Sequence, residues 1–311
     1  MHCRNLKFKK TVMALVFCIG ALPFVFSAHA YAGNAEGLTD ERLTNDGEGR
    51  EASGERIEAK GESKWLDDYS KPVGLTYEVE AVLNSTYFWR GLCIGGLNIQ
   101  PSASVGYGGL YFTMWWNIGA ANWAFTEFQP EVDLILGFNR WGVNVGVMYV
   151  HNFNRRFFDF GNHPDGGNAL EARFRYTVSS KLPLSFFWAT RIGATDGYLN
   201  AAGDTIRPYS TYIELSYTQK LPYGLSLYGA FGITPWRSFY TNYEREFAVQ
   251  NIEIRLRKDW DIHPRLGLML QGLFSINPSA LAADKSTAEW HPTNPTNQSI
   301  NANVSVGIYL K

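Results

Sequence analysis

Apolar and polar residues alternate with a period of two through most of the chain after Pro72. This alternation is typical of β-strands whose two faces meet different surroundings. The pattern repeats about twelve times and predicts strands over 75–90, 98–107, 110–120, 128–139, 141–153, 169–179, 184–195, 207–219, 225–234, 248–260, 266–277 and 300–310.

The connections between these predicted strands alternate in length. Short turns are expected at 108–109, 140, 180–183, 221–224 and 261–265, and longer polar loops at 91–97, 121–127, 154–168, 196–206, 235–247 and 278–299. Short turns on one side and long loops on the other are typical of outer-membrane barrels. An even strand count also returns both ends to one side. We therefore predict an all-β fold, a transmembrane antiparallel β-barrel of about twelve strands over 73–311 with both termini in the periplasm.

The charged residues within the strands indicate which face is turned inward. On the strand 248–260, Ile254 and Leu256 alternate with Arg255, and an arginine facing lipid at mid-depth costs about 2–4 kcal/mol. The lipid-facing set should include Val143, Val145, Val147 and Tyr149. The lumen-lining set should include Glu78, Glu80, Arg90, Asp133, Glu171, Arg173, Arg175, Arg191, Glu214, Glu253, Arg255 and Arg257.

Aromatic residues make up 15% of the chain, and many fall near the predicted strand ends. In membrane barrels such residues form girdles at the two lipid–water interfaces. The predicted girdle residues are Tyr107, Tyr111, Trp141, Trp188, Tyr217, Tyr223, Trp260 and Tyr309.

The first thirty residues predict an exported protein. Four basic residues precede an apolar run over 11–26, which ends in the small-residue sequence SAHAYAG. This is the pattern of a signal peptide, 1–30, cleaved after Ala30 or Ala32. The following segment, 31–72, is charged and poor in large apolar residues, so we expect a flexible polar periplasmic segment, with a plug or partner-binding arm as the alternative. Cys93 would be the one cysteine left after cleavage.

No motif in the chain predicts an enzyme, a cofactor or a metal site. His151, in VMYVHNFN, has no serine nearby and is interpreted as a polar residue at the barrel rim rather than a catalytic base. His163, His263 and His291 lack metal-ligand spacing. The net charge of −1, with acids and bases interleaved, argues against nucleic-acid binding. The expected partners are outer-membrane lipid and lipopolysaccharide, the barrel-assembly machinery and small solutes.

The early strands resemble those of a known family. The stretch NSTYFWRG at 84–91, the segment GGLYFTMWWNIG at 108–119 and EVDLILGFNRWGVNVGVMYV at 131–150 resemble the TorF-type porins, and MipA/OmpV-like barrels share the Arg-Gly pair after aromatic residues. One departure is the final Lys311, where barrel chains commonly end on an aromatic residue. The resemblance implies a channel or a surface barrel and assigns no binding residue.

Two functions from different classes remain open. The first is a small-bore porin or channel for small hydrophilic solutes, whose selectivity is set by the charged lumen residues. The second is a closed barrel in which the same charges pair across the lumen and the external loops act in adhesion or structure. We favour the channel because of the family resemblance.

Overall fold

The computed structural model describes residues 74–119, 130–153, 155–163, 167–281 and 299–310. The predicted signal peptide, 1–30, and the polar segment, 31–72, lie outside these ranges. Within the described part of the chain, no helix is both long and apolar enough to cross a membrane.

Twelve antiparallel strands close into one barrel, as the alternation predicts. The strands of the chain are β1 (Leu75–Asn84), β2 (Tyr87–Trp89), β3 (Leu92–Gly95), β4 (Asn98–Tyr107), β5 (Leu110–Gly119), β6 (Glu131–Arg140), β7 (Val143–Asn152), β8 (Ala169–Thr177), β9 (Leu184–Ala194), β10 (Tyr198–Leu199), β11 (Thr205–Ile206), β12 (Thr211–Leu221), β13 (Leu225–Thr234), β14 (Ala248–His263), β15 (Leu266–Ile276) and β16 (Ile300–Leu310). β1 pairs with β16 to close the wall, while β2–β3 and β10–β11 form separate small hairpins.

The connections are sorted by side, as the sequence predicts. Short turns join β4 to β5, β6 to β7, β8 to β9, β12 to β13 and β14 to β15, and the long connections lie at the other end of the barrel. The start of β1 and the end of β16 lie at the short-turn end. The turn predicted at Arg140 is displaced by one residue: Arg140 pairs with Val143, and Trp141 and Gly142 make the turn with positive φ angles of 56° and 76°.

The two faces of the wall differ in chemistry. Along β14, Ile254 is 49% and Leu256 48% exposed on the outside, while Glu253 and Arg257 are 5% and 4% exposed on the inside. Val145 and Val147 of β7 are likewise exposed. An apolar outer face around a polar interior is typical of a barrel that spans a membrane.

The predicted aromatic girdle is only partly correct. Exposed rings include Tyr107, Trp141, Tyr217, Tyr223 and Trp260. Tyr111 and Tyr309 instead face the lumen and are buried, where their hydroxyls donate to Asn144 and Asp259. Their position in the strand alternation puts them on the inward face, and a buried tyrosine hydroxyl requires a partner there.

Candidate functional site: the lumen and its inward hairpin

A short hairpin occupies the lumen near the long-loop end of the barrel. The wall strands β1 and β4 are paired up to Asn84 and Asn98, and between these residues β2 and β3 form the inward hairpin, Tyr87–Gly95. The prediction that the first wall strand runs to Arg90 is therefore wrong. Three consecutive aromatic residues, Tyr87–Trp89, are all buried, which suits an element contacted on both faces and not a wall strand with one lipid face.

The tip of the inward hairpin is a two-residue turn. Arg90 and Gly91 both have positive φ, 49° and 82°, as a two-residue hairpin turn of type I′ requires. A Cβ at position 91 would collide with the backbone carbonyl oxygen of Gln250 on β14. Asn277 donates from Nδ2 to the carbonyl oxygen of Gly91 at 3.1 Å. The tip is thus fitted against β14 and the end of β15, three and two strands from β1 in the barrel order.

Arg90 connects the hairpin tip to the far wall of the barrel. Its Nη1 and Nη2 donate to Oε2 and Oε1 of Glu171 at 2.7 and 2.8 Å, a bidentate pair between two buried side chains that are 5% and 2% exposed. Glu171 lies on β8, which is almost diametrically opposite β1 in the closed strand order. The guanidinium also lies 4.9 Å from the ring centroid of Phe187 and 5.3 Å from that of Tyr212. The inward hairpin therefore crosses the bore.

A second loop meets the hairpin inside the lumen. Residues Phe239–Thr241 of the β13–β14 connection form a 3₁₀ turn whose N-cap is Ser238, which accepts from the backbone N–H of Tyr240. Trp89 lies 5.7 Å from Phe239 and 5.5 Å from Tyr240, measured between ring centroids. The Tyr240 hydroxyl accepts from Arg90 Nη1 at 2.5 Å, and burial raises the pKa of Tyr240, so the hydroxyl stays protonated. Both loops thus converge on the Arg90–Glu171 pair.

Below this level several of the predicted lumen charges interact in local groups. Arg173 Nε lies 3.5 Å from Glu171 Oε1. Glu214 accepts from the hydroxyls of Tyr212 and Tyr228 at 2.7 and 2.6 Å. Further towards the short-turn end Arg257 donates to both oxygens of Asp259, at 2.7 and 2.8 Å, and Glu253 pairs with Arg255. Because residues two apart share the inward face of a strand, an acid and a base at such positions can pair.

All the predicted lumen residues lie inside the barrel, although Arg90 reaches the lumen from the hairpin and not from the wall. Glu78, Glu80 and Arg191 are half-buried, and Arg90, Asp133, Glu171, Arg173, Arg175, Glu214, Glu253, Arg255 and Arg257 are buried. Arg191 lies over the Phe239 ring, 3.5 Å from its centroid. Asp259 and Glu131 also face the lumen but are not among the residues predicted from the sequence. Each lies two residues from a predicted lumen charge, Arg257 and Asp133, so the same alternation would have found them.

A small polar pocket lies between the inward hairpin and the wall. Six of its lining residues are polar or charged: Asn84, Thr86, Gln100, Arg255, Gln271 and Asn303. The lining comes from β1, β4, β14, β15 and β16 together with the start of the hairpin. These side chains can exchange hydrogen bonds with water.

His151, which the sequence indicates is a rim residue rather than a catalytic base, lies outside the lumen. His151 of β7 is buried, and its Nδ1 is 2.9 Å from the Oδ1 of Asn168. The ring of Phe157 covers it, with centroids 4.4 Å apart. Among the described residues, no three of His, Cys, Asp and Glu are grouped as metal ligands would be.

These features define a closed twelve-stranded β-barrel of the membrane-spanning kind, with a polar lumen crossed by a folded loop. No protein-family model and no curated protein matches the chain. Among solved structures, a NanC porin is similar over 76% of this chain and 100% of its own, with 12% identity and a TM-score of 0.44. OmpF of Salmonella typhi, in complex with daunomycin, is similar over 81% of this chain and 99% of its own, with 10% identity and a TM-score of 0.33. The resemblance to TorF-type porins remains a prediction.

Proposed function

We propose that the protein is an outer-membrane channel for small hydrophilic solutes whose bore is constricted by the inward hairpin. In this proposal residues 1–30 direct export and are removed, and the barrel-assembly machinery inserts the remainder with its short turns in the periplasm. The apolar outer face, represented by Ile254 and Leu256, is the observation that supports placement in lipid.

The structure of the lumen is the observation that best supports a channel function. A barrel of twelve strands lies between barrels of eight strands, which side chains fill, and barrels of sixteen, which leave an aqueous channel. Here the wall contributes polar and charged side chains along its inward face, and an inserted loop spans the bore at one level. The hairpin is therefore a constriction separable from the wall, although wall side chains such as Met269 and Tyr309, 0% and 4% exposed, also lie in the bore.

The hairpin can leave the lumen without opening the wall. Asn84 and Asn98 are direct partners in the β1–β4 pairing, so the wall is complete below the hairpin. The polar pocket lined by Gln100 and Gln271 lies beside it. Displacing the hairpin would join this pocket to the space on the long-loop side.

A closed barrel with a structural or adhesive role is the second candidate. The observation that favours it is the pairing of lumen charges: Arg90 with Glu171, and Arg257 with Asp259. Paired, buried charges of this kind fix a unique interior without requiring ion flow. The long external loops would then carry the function.

Planar-bilayer recordings decide between the two candidates. The test compares the wild-type chain from residue 31 with a variant in which 86–96 are replaced by a short Gly-Ser linker. A channel predicts measurable conductance in the wild type and a larger unit conductance in the variant, because the linker removes the constriction. As a control, 200–204, in the loop between β10 and β11, is replaced in the same way and should leave conductance unchanged.

The outcomes are separable from misfolding. Heat-modifiable migration in detergent reports whether each variant is a closed barrel. If the folded linker variant carries no current, the lumen is closed without the hairpin, and the structural or adhesive candidate replaces the channel.

A further inference from the structure

The loop after β7 folds back over the outside of the barrel. Tyr149 and His151 point outward from β7, on the same face as Val145 and Val147, yet they are only 5% and 4% exposed. The ring of Tyr149 lies 5.7, 5.3 and 5.5 Å from the rings of Phe157, Phe158 and Phe160. Tyr149, predicted to face lipid, is therefore on the predicted face but beneath the returning loop.

Buried hydrogen bonds hold this loop in place. Asn168, 1% exposed, accepts from the backbone N–H of Asn152 at 3.2 Å and donates from Nδ2 to the carbonyl oxygens of Arg156 and Asp159 at 2.8 and 3.1 Å. The Tyr149 hydroxyl accepts from the backbone N–H of Phe158 at 2.7 Å. Phe158 has a positive φ of 58°, which costs energy in a bulky residue and persists only where the surroundings hold it.

Four phenylalanine rings of this segment contact Tyr149 or His151 on one side and remain about half-exposed on the other. Phe153, Phe157, Phe158 and Phe160, here called the phenylalanine patch, are 57%, 46%, 57% and 51% exposed. Large contiguous apolar surface on a fixed scaffold marks an interaction site. The patch continues the apolar outer face of β7, where Val145 and Val147 are each 40% exposed.

An exposed cation adjoins the patch. Arg156 is exposed and directly precedes Phe157. The nearby carboxylate of Asp159 is already engaged: it accepts from the Gly161 N–H at 2.9 Å and lies 3.1 Å from Nε2 of His163. Apolar rings beside an arginine, at the long-loop end of a lipid-facing strand, match a lipid with acyl chains below and an anionic group above.

We propose that the phenylalanine patch and Arg156 form a binding site for a phosphorylated acyl lipid of the outer leaflet. The rings contact the acyl chains, and the guanidinium pairs with the phosphate, for which its fork of donors is suited. The site lies on the outside of the wall, so it does not depend on whether the lumen conducts. The bound lipid fixes the depth of the barrel in the membrane and its lipid surroundings at the long-loop end of β7.

Native mass spectrometry of the protein released from detergent micelles tests the proposal. The chain from residue 31 is incubated with diphosphoryl lipid A or with the same lipid after dephosphorylation, and the retained lipid is counted. We expect the wild type to retain the phosphorylated lipid preferentially. Phe157→Ser/Phe158→Ser should weaken retention roughly tenfold, because two half-exposed rings no longer contact the chains. Arg156→Gln should abolish the preference for phosphate while retaining acyl-chain binding.

Matched substitutions control for general loss of apolar or charged surface. Phe274→Ser removes a ring of equal exposure, 46%, from the wall strand β15, and Lys181→Gln removes an exposed cation from a short turn at the opposite end. Neither should change lipid retention. Unit conductance should be the same in all these variants, so failure here is distinguishable from failure of the channel proposal.

Two results would overturn the site. Retention by the Phe157→Ser/Phe158→Ser variant equal to that of Phe274→Ser would show that the patch does not bind lipid. A loss of cross-linked dimers in that variant, with lipid retention unchanged, would show that the patch instead contacts a second copy of the chain.

Discussion

Replacing Arg90 by leucine should release the inward hairpin while leaving the barrel closed. Arg90→Leu removes three charge-assisted hydrogen bonds, two to Glu171 and one to Tyr240, and leaves the buried Glu171 carboxylate with Arg173 at 3.5 Å. Removing one partner of a buried ion pair costs about 3–5 kcal/mol. Because Arg173 remains close, we expect the lower value, about 3 kcal/mol, which corresponds to a roughly hundredfold larger undocked population.

Thiol labelling of Cys93 measures this population. Cys93 lies on β3 and is buried, 8% exposed, and it is the only cysteine after residue 30. A water-soluble thiol reagent can reach it only when the hairpin undocks. We expect labelling of Arg90→Leu to be about a hundredfold faster than labelling of the wild type. Heat-modifiable migration serves as the control that the wall remains folded.

A double variant separates the ion pair from general packing damage. Arg90→Leu/Glu171→Leu also removes the buried carboxylate that the single variant leaves poorly compensated, so its labelling should be slower than that of Arg90→Leu. Labelling of Arg90→Leu at the wild-type rate would refute the reasoning. The contacts of Trp89 with Phe239 and Tyr240 would then suffice to hold the hairpin.

Three further predictions concern the wall, the bore and the turn. Leu256→Arg should impair assembly by about 2–4 kcal/mol, and far more than Arg255→Leu, because only the first puts charge into lipid; equal loss of heat-modifiable barrel in both would show that the assigned facing is wrong. Arg255→Gln/Arg257→Gln should shift reversal potentials towards cations, less so near 1 M salt, where the screening length falls to about 3 Å. An unchanged reversal potential would mean that ions do not pass these residues. Gly91→Ala should accelerate thiol labelling more than Gly203→Ala does, because both have positive φ but only position 91 lacks room for a Cβ; equal rates would contradict the close fit of the tip.

The sequence alone determined the wall of this barrel. Strands β4, β13 and β16 begin and end at the residues that the alternation predicts, 98–107, 225–234 and 300–310. This is possible because each wall residue faces either lipid or the lumen, and residues facing the two sides alternate along each strand. The same rule placed Glu171, Arg173 and Arg255 inside. Pairings such as Arg257 with Asp259 follow from it, since residues two apart share a face.

Only the tertiary structure decided where the long loops go. The loop containing Arg90 turns into the lumen and the loop containing Phe157 turns out onto the wall, although both are long connections rich in aromatic residues. The contacts of the loop containing Arg90 join residues distant in the chain, such as Arg90 with Glu171 and Trp89 with Tyr240. No local pattern encodes such pairs, because their formation depends on which side chains the closed barrel brings face to face across its bore.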